Sequence, residues 1–443
     1  MRVNIKNKKL FFNVMKSMIP NFNLQDFNGL TIDSRKIKPG DIFIPLKGEK
    51  DDGHAYLEQA YSHGASISLV EKANNTKMSS INVRSTKIFL HDLAKKFREK
   101  LPYPFLGITG SNGKTTTKEL LAHTLSDKMK VMKTEGNFNS TTGAPLSIFS
   151  FSSNADIAII EMGANKPNEI EIICNVIQPN MGLITNIGSA HMEHFSSKNE
   201  IAKTKSALFS SLPKNGTAFV NIDDPFISKM NLTCNCISYS LNTSADHSGV
   251  WDEKTKKLIL NDSSINLSKY PNTMNINGLA VYSIASELGM DIYSIISKIN
   301  TFKLPKGRGQ IEKINDYLII DDTYNSNVES MASGIKTLIE YSTTNRKIIV
   351  IGDMLELGEN KKKYHEDIAE LLDDKKINAI FAFGKLSKHT IKNIYSSHIY
   401  KKFYNDKKLL INDLKKFINK NDVIYIKGSR SMKMEEIIMS LNK

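Results

Sequence analysis

Cysteine is scarce: Cys174, Cys234 and Cys236 are all that 443 residues contain. That is too few for a disulfide framework, and Cys234 and Cys236 form a C-x-C with no second pair, which argues against zinc. Idle thiols in a reducing compartment are expected. Long apolar runs are also missing, since none reaches the roughly 20 residues of a membrane span. The N-terminal MRVNIKNKKLFF has basic residues but no apolar stretch or small-residue cleavage site, so no secretory signal is expected. Arginine stands only at Arg2, Arg35, Arg84, Arg98, Arg308, Arg346 and Arg430. The net charge of +14, from 60 basic and 46 acidic residues, therefore comes from scattered lysines with short runs such as Lys361-Lys362-Lys363. No Arg-rich or aromatic-interleaved stripe appears, so a nucleic-acid partner is not expected. A positive field still favours a polyanionic substrate.

What remains is an ordinary globular composition, 40% apolar and 24% charged. The length suggests two to four domains, three being the natural number. Residues 1–100 mix short strands and loops: TIDSR, KPGDIFIPLKG, a helix-like DDGHAYLEQAYSHGA and the strand ISLVE. Residues 101–305 repeat strand, glycine turn and helix, with buried parallel strands expected at FLGIT, IAII, GLIT and TAFVNI. Residues 306–443 start near Lys306-Gly307-Arg308 and carry YLIID, KIIVIGD, AIFAFG and DVIYIKG. Strands alternating with helices predict an α/β protein: a small mixed N-terminal module, then two parallel-sheet domains with a ligand cleft at their junction.

One motif carries chemistry by itself. FLGITGSNGKTTT (Phe105–Thr117) runs from a strand through a glycine turn into a helix. Backbone N–H groups from Gly110 through Ser111, Asn112 and Gly113 to Lys114 would point at phosphate oxygens, aided by the helix N-terminus. Lys114 would pair with the β- and γ-phosphates of ATP, the Thr115 hydroxyl would reach Mg²⁺, and Thr116 completes the contact run. The generic G-x4-G-K-[ST] pattern does not fit, because Ile108 stands where glycine is wanted. Other motifs are open to a loop-only explanation when taken singly. IAIIEMGA ends a strand on Glu161, where a metal-bound nucleotide would want a carboxylate. GLITNIGSAHMEH carries His191, DDTYNSN carries Asp322 to Asn327, and GDMLELG (Gly352–Gly358) and KGSR (Lys427–Arg430) end later strands.

Taken in order, these motifs resemble the Mur ligases, ATP-dependent amide-forming enzymes of peptidoglycan precursor synthesis. The family's TG-[ST]-x-GK-[ST] loop explains the misfit at Ile108. The resemblance covers nearly the whole chain and is nearest to the D-alanyl-D-alanine-adding branch, on DSR-x-I-x-PGDIF, T-x-G-N-x-N at Thr134–Asn139, EMGA, TNIGSAHMEHF, DDTYNSN, GDMLELG and KGSR. It implies a P-loop ATPase domain in the centre and a Rossmann-like domain at the C-terminus. It implies that Lys114 and Thr115 meet phosphate and Mg²⁺, and that Glu161 and His191 hold a second metal. Lys205 matches a lysine that many Mur ligases carbamylate, since a bare ammonium would be repelled by a cation and a carbamate would not. Asn277 and Arg308 match adenine-side and phosphate contacts, and Asp322 a ribose contact. Tyr324, Asn325 and Asn327 match the place where dipeptide and γ-phosphate meet. Ser34 and Arg35 match contacts to the uridine diphosphate, with Asn137 and Asn139 nearer the sugar-peptide.

Three departures stand out: Ser140 replaces a family Asn, Ala207 a Glu, and Thr273 lies where a histidine is usual. The implied substrates are UDP-N-acetylmuramoyl-tripeptide, D-alanyl-D-alanine and ATP, and a cytoplasmic monomer is the expected setting. Two alternatives are a related ligase with another amino substrate and a nucleotide-binding homologue without catalysis.

Overall fold

A computed structural model describes residues 1–24, 26–49, 51–72, 77–189 and 192–442. The first sheet takes β1 (Arg2–Asn4), β2 (Gly29–Thr31), β3 (Ile42–Phe43), β4 (Ile67–Val70) and β5 (Ser80–Asn82) in chain order. β1 runs antiparallel to β2, and the others are parallel. Of TIDSR only the first residue is strand. Asp33 then accepts from Arg35 N and starts a single 3-10 turn, Ser34–Lys36. The helix α1 (Thr86–Arg98), capped by Ser85, turns Leu90, Leu93, Ala94 and Phe97 inward. At its end buried Arg98 reaches the central sheet. It donates to Ile177 O at 2.8 Å, Gln178 O at 3.2 Å and Asn180 Oδ1 at 3.1 Å, with its guanidinium 3.7 Å from the Phe105 ring centre.

The central sheet is wholly parallel. Its strands are β6 (Phe105–Thr109), β7 (Val131–Lys133), β8 (Ile157–Glu161), β9 (Met181–Ile184), β10 (Thr217–Asn221), β11 (Asn235–Ser240) and β12 (His247–Ser248). They lie in the order β12-β11-β10-β9-β6-β8-β7. β6 and β8 are buried at every position, as apolar runs covered on both faces must be. The helix α2 (Lys114–Leu125) opens with three threonines, which favour helix weakly. Packing holds it instead: Leu120, Leu121 and Leu125 are fully buried, each side chain contributing about 1.5–3 kcal/mol. The helix α3 (Lys198–Ser210) is capped by Ser197. An antiparallel trio, β13 (Val250–Asp252), β14 (Lys257–Leu260) and β15 (Ser263–Asn266), precedes α4 (Met274–Glu287). This trio, with β7, β11 and β12, adds to the strands expected from the sequence.

The third sheet is β16 (Gln310–Ile314), β17 (Tyr317–Asp322), β18 (Lys347–Gly352), β19 (Ala379–Phe383), β20 (Tyr400–Tyr404) and β21 (Val423–Lys427). Its order is β16-β17-β21-β18-β19-β20, parallel except for the β16–β17 hairpin. The antiparallel edge departs from the all-parallel expectation. A short turn at Asn315-Asp316 can only return the chain alongside itself. The helix α5 (Val328–Glu340) starts on a reciprocal box between Asn327 and Ser330, and α6 (Lys361–Leu372) follows the β18 loop. Together the sheets make the three-domain α/β architecture anticipated from the sequence. Among the described residues no helix is long and apolar enough to cross a membrane.

Candidate active site

The turn after β6 is built on glycine for steric reasons. Gly110 sits at φ 147°, and a Cβ there would fall 1.9 Å from Thr185 Oγ1. Gly113, at φ 82°, precedes the first turn of α2. Loop residues after β9 tie the turn down. Thr185 Oγ1 donates to Asn112 O at 2.6 Å and Asn186 Nδ2 to the same carbonyl at 3.0 Å. Asn112 N donates to Asn186 Oδ1 at 3.0 Å, and Gly188 N to Ser111 Oγ at 2.8 Å. The free N–H groups at the start of α2, with its positive dipole end, make this an anion site. Lys114 folds over it, donating to Gly110 O at 2.6 Å and Ser111 O at 3.1 Å. Burial pulls its pKa down to about 8, opposed by Glu161 and assisted by Arg308.

β8 and β9 flank β6, so their C-terminal ends open beside the turn. Glu161, 2% exposed, ends β8. Its Oε1 accepts from Asn139 Nδ2 at 2.7 Å and Thr115 Oγ1 at 3.1 Å. Its Oε2 is buried without a hydrogen bond, with Lys118 Nζ 3.4 Å away. Lys118 is fully buried, donates to Thr134 O at 2.7 Å and pairs with Glu119, which also holds Lys133. Lys205 lies 3% exposed on α3, without a hydrogen bond or ion pair to another described residue. Burial first, then the charge of Lys114, push its pKa well below the usual lysine range.

The C-terminal domain closes the other side of a cavity of about 650 Å³. Arg308 Nη2 donates to Thr115 Oγ1 at 3.1 Å, and its guanidinium stacks 3.7 Å from the Tyr324 ring centre. Asn327 Nδ2 donates to Asn112 Oδ1 at 2.8 Å. Glu329 Oε1 accepts from Ser189 N at 2.8 Å and from Lys198 at 3.0 Å. Asp322 Oδ2 accepts from Lys427 Nζ at 2.6 Å and Tyr425 Oη at 2.9 Å. Asn325 Oδ1 accepts from Arg430 N at 3.3 Å.

One cavity thus brings together Ser111 to Thr116, Asn137, Asn139, Glu161, Asn277, Arg308, Asp322, Tyr324, Asn325 and Asn327. Four expected residues are not among its walls. Lys205 sits behind them in α3. Gly110 lies just after β6, packed against Thr185. Ser34 and Arg35 stay with the N-terminal sheet, where Ser34 Oγ donates to Gln59 Oε1 at 2.6 Å and exposed Arg35 pairs with Asp33. His191 lies outside the described residues. Ser140 accepts from Gly143 N at 3.1 Å, so its hydroxyl serves the following helix. Lys118, Thr185 and Glu329 were given no role from the sequence. Lys118 had a signal: it shares a helical face with Leu121, Ala122 and Leu125, which places an ammonium in the core.

Three family models match: "Mur ligase family, catalytic domain" over residues 26–99, "Mur ligase middle domain" over 108–282 and "Mur ligase, glutamate ligase domain" over 307–430. The chain is 31% identical, over 95% of its length and 94% of the relative's, to a UDP-N-acetylmuramoyl-tripeptide–D-alanyl-D-alanine ligase of Bacillus subtilis. The chain belongs to the Mur ligase family. A Haemophilus influenzae protein of the same name is 33% identical, with 93% of each chain covered. Among Mur ligase structures, MurF from Acinetobacter baumannii superposes with a TM-score of 0.85 at 25% identity, over 100% of this chain and 99% of that one. MurF from Thermotoga maritima in complex with ADP gives a TM-score of 0.80 at 29% identity, over 93% and 96%.

Proposed function

We propose that this Mur ligase spends ATP to join D-alanyl-D-alanine to UDP-N-acetylmuramoyl-tripeptide, releasing ADP and phosphate. The observation that carries this is the cavity, where the Lys114 turn faces the DDTYNSN segment through the Asn112–Asn327 and Thr115–Arg308 contacts. Near-full-length relatives bearing that ligase name support the choice of substrates. In this scheme residues 1–100 take the UDP-precursor, 101–305 bind ATP, and 306–443 contribute to the nucleotide and amino-substrate sites. The setting is a cytoplasmic monomer acting on small molecules.

A carboxylate at neutral pH is a poor electrophile. The tripeptide's terminal carboxylate attacks the γ-phosphorus of ATP, ADP leaves, and an acyl phosphate forms. The dipeptide amine then attacks the acyl carbon, the C–O bond to phosphate breaks, and the amine's proton is lost. Such transfer depends on positioning and charge neutralisation. Lys114 and Arg308 supply positive charge, while the N–H groups at the start of α2, from Lys114 to Thr116, cradle phosphate; Ser111 N and Asn112 N are already held by Asn186. Asn277 faces Gly113 on the adenine side, and Asp322 keeps Oδ1 for a ribose hydroxyl. Tyr324, Asn325 and Asn327 line the amino-substrate side, Asn137 and Asn139 the sugar-peptide side, with Ser34 and Arg35 further out toward the uridine diphosphate.

The residues fit magnesium. Glu161 offers a buried oxygen, Oε2, that accepts no hydrogen bond and faces the Lys118 ammonium, while its Oε1 meets the Thr115 hydroxyl. No cluster of three or more His, Cys, Asp or Glu competes among the described residues, and Mg²⁺ commonly needs only one or two protein oxygens beside phosphate and water. Bound there it would neutralise phosphate charge. His191 is the proposed imidazole ligand. Lys205 has the buried, partnerless and readily neutral amine that adds CO2 to become an anionic carbamate.

The test is phosphate release from the purified chain with ATP, Mg²⁺, the UDP-tripeptide and D-alanyl-D-alanine. Release should need all four and fall by at least about 10²-fold in Lys114→Ala. Release without the dipeptide or the UDP-tripeptide would sink the proposal. A preference for a different amine would reassign the substrate.

A further inference from the structure

The GDMLELG loop gives the cavity Leu355, Glu356 and Leu357. It is a bent piece of backbone: Glu356 stands at φ 62°, where a side chain costs about 1–2 kcal/mol. Three pins hold it. Asp353 Oδ1 accepts from Ser387 N and Ser387 Oγ, both at 2.7 Å, and from Leu386 N at 3.1 Å. Leu355 N donates to Ser429 Oγ at 2.8 Å. Met354 N donates to His365 Nε2 at 3.0 Å.

The third pin fixes a protonation state. His365 is 2% exposed on α6, and its Nδ1 lies 2.7 Å from Lys361 O. A peptide N–H only donates and a carbonyl only accepts. The ring must therefore be neutral, with its proton on Nδ1. A second proton would set Nε2–H against Met354 N–H, leaving two buried donors face to face.

We propose that His365, as the neutral Nδ1–H tautomer, is a positioning residue that holds the Met354–Leu357 wall against the amino substrate, and that its protonation releases that wall. The substrate named here rests on the function proposed above. Burial lowers the pKa of His365 below its usual 6.5; the hydrogen bond to Lys361 O and then the charge of Asp353 oppose this, and His389 on the neighbouring helix adds to the lowering. On its own helix Glu366 pairs with Lys362 at 3.7 Å and lies 3.9 Å from His389. The sign follows: the pin is complete at neutral pH and is lost as pH falls through the lowered value.

His365→Gln and His365→Asn separate the two bonds. Gln reaches the Nε2 position with an oxygen that accepts and does not titrate; Asn ends near the Nδ1 position and leaves Met354 N unpaired. Both full-length variants and the wild type are assayed from about pH 5.5 to about 8.5. The readouts are KM for D-alanyl-D-alanine, KM for ATP, and amide hydrogen exchange over Met354–Leu357 without substrate. Asn should raise the dipeptide KM about tenfold and speed exchange by a similar factor, with ATP KM unchanged. Gln should recover most of that loss and show no pH dependence in the acid range. The wild type should match Gln at high pH and move toward Asn at low pH. Equal behaviour of Asn and Gln, or wild-type exchange at Met354 that shows no acid-side loosening beyond that of Gln, overturns the proposal. Should the wild type need no dipeptide for turnover, the functional assignment fails, and exchange alone still decides the His365–Met354 pin.

Discussion

Gly110→Ala tests the phosphate turn most directly. The backbone holds Gly110 at φ 147°, and the added Cβ would lie 1.9 Å from Thr185 Oγ1 and 3.1 Å from Thr185 N. Two costs add. The backbone conformation costs about 1–3 kcal/mol for a residue with a side chain. Overpacking a close-packed site costs about 1–3 kcal/mol more. The hydroxyl cannot simply swing away, because it donates to Asn112 O at 2.6 Å and so shapes the same turn. If the turn yields rather than the fold, about 2–6 kcal/mol appears in nucleotide affinity, a loss of roughly 30-fold to 10⁴-fold. Titration with ADP and Mg²⁺ reads this, with Tm showing that the chain stays folded. Adding Thr185→Ala removes the 1.9 Å collision but neither the dihedral strain nor the 3.1 Å approaches to the N and Cβ of residue 185. The double variant should therefore recover affinity relative to Gly110→Ala but not reach Thr185→Ala alone. ADP affinity within about twofold of wild type in Gly110→Ala would refute the account of the turn.

Two further expectations concern charge. Lys114, lowered to about 8, carries its proton at neutral pH and loses it as pH rises. ADP affinity at constant ionic strength should accordingly be full near neutrality and decline above about pH 8, and a flat profile to about pH 9.5 would contradict this. Arg98 satisfies three carbonyls and Asn180 from within the seam between the first two sheets. Arg98→Leu strips the Ile177 and Leu101 carbonyls of this partner in the buried seam, while Asn180 Oδ1 keeps the Phe105 N–H, so a destabilisation of about 3 kcal/mol is expected as a lower Tm, with ADP affinity little changed.

The sequence was most legible where chemistry and burial agree. Strands such as FLGIT, IAII and KIIVIGD are apolar because both faces are covered, and their ends announce themselves by glycine or a carboxylate. The N-terminal segments were harder. TIDSR and DIFIP look like longer strands, yet side-chain caps such as Asp33 cut them to two or three residues. The β13–β15 trio is hard to read because its strands are only three or four residues long, and in Lys257–Leu260 the apolar Ile259 faces outward. Within the site, Lys114 was readable by type and spacing, while Glu161 and Asp322 took their expected roles from the family resemblance. Their partners were not: Lys118 to Glu161, Thr185 to Asn112 and Lys427 to Asp322 are tertiary contacts that no local pattern encodes. Ser34 and Arg35, read as uridine diphosphate contacts, lie outside this cavity on the N-terminal domain.

Asn327 divides one amide between two domains. Its Oδ1 accepts from Ser330 N inside α5, while its Nδ2 donates to Asn112 across the boundary. Were the domains to part, only the second bond would be exchanged for water, at a net cost of about 1 kcal/mol. The cap, which is local to α5, would keep its own bond, and so would the first turn of the helix. The interdomain contact therefore draws on a group that α5 does not need for its own start, so the helix end is finished whether or not the boundary is closed.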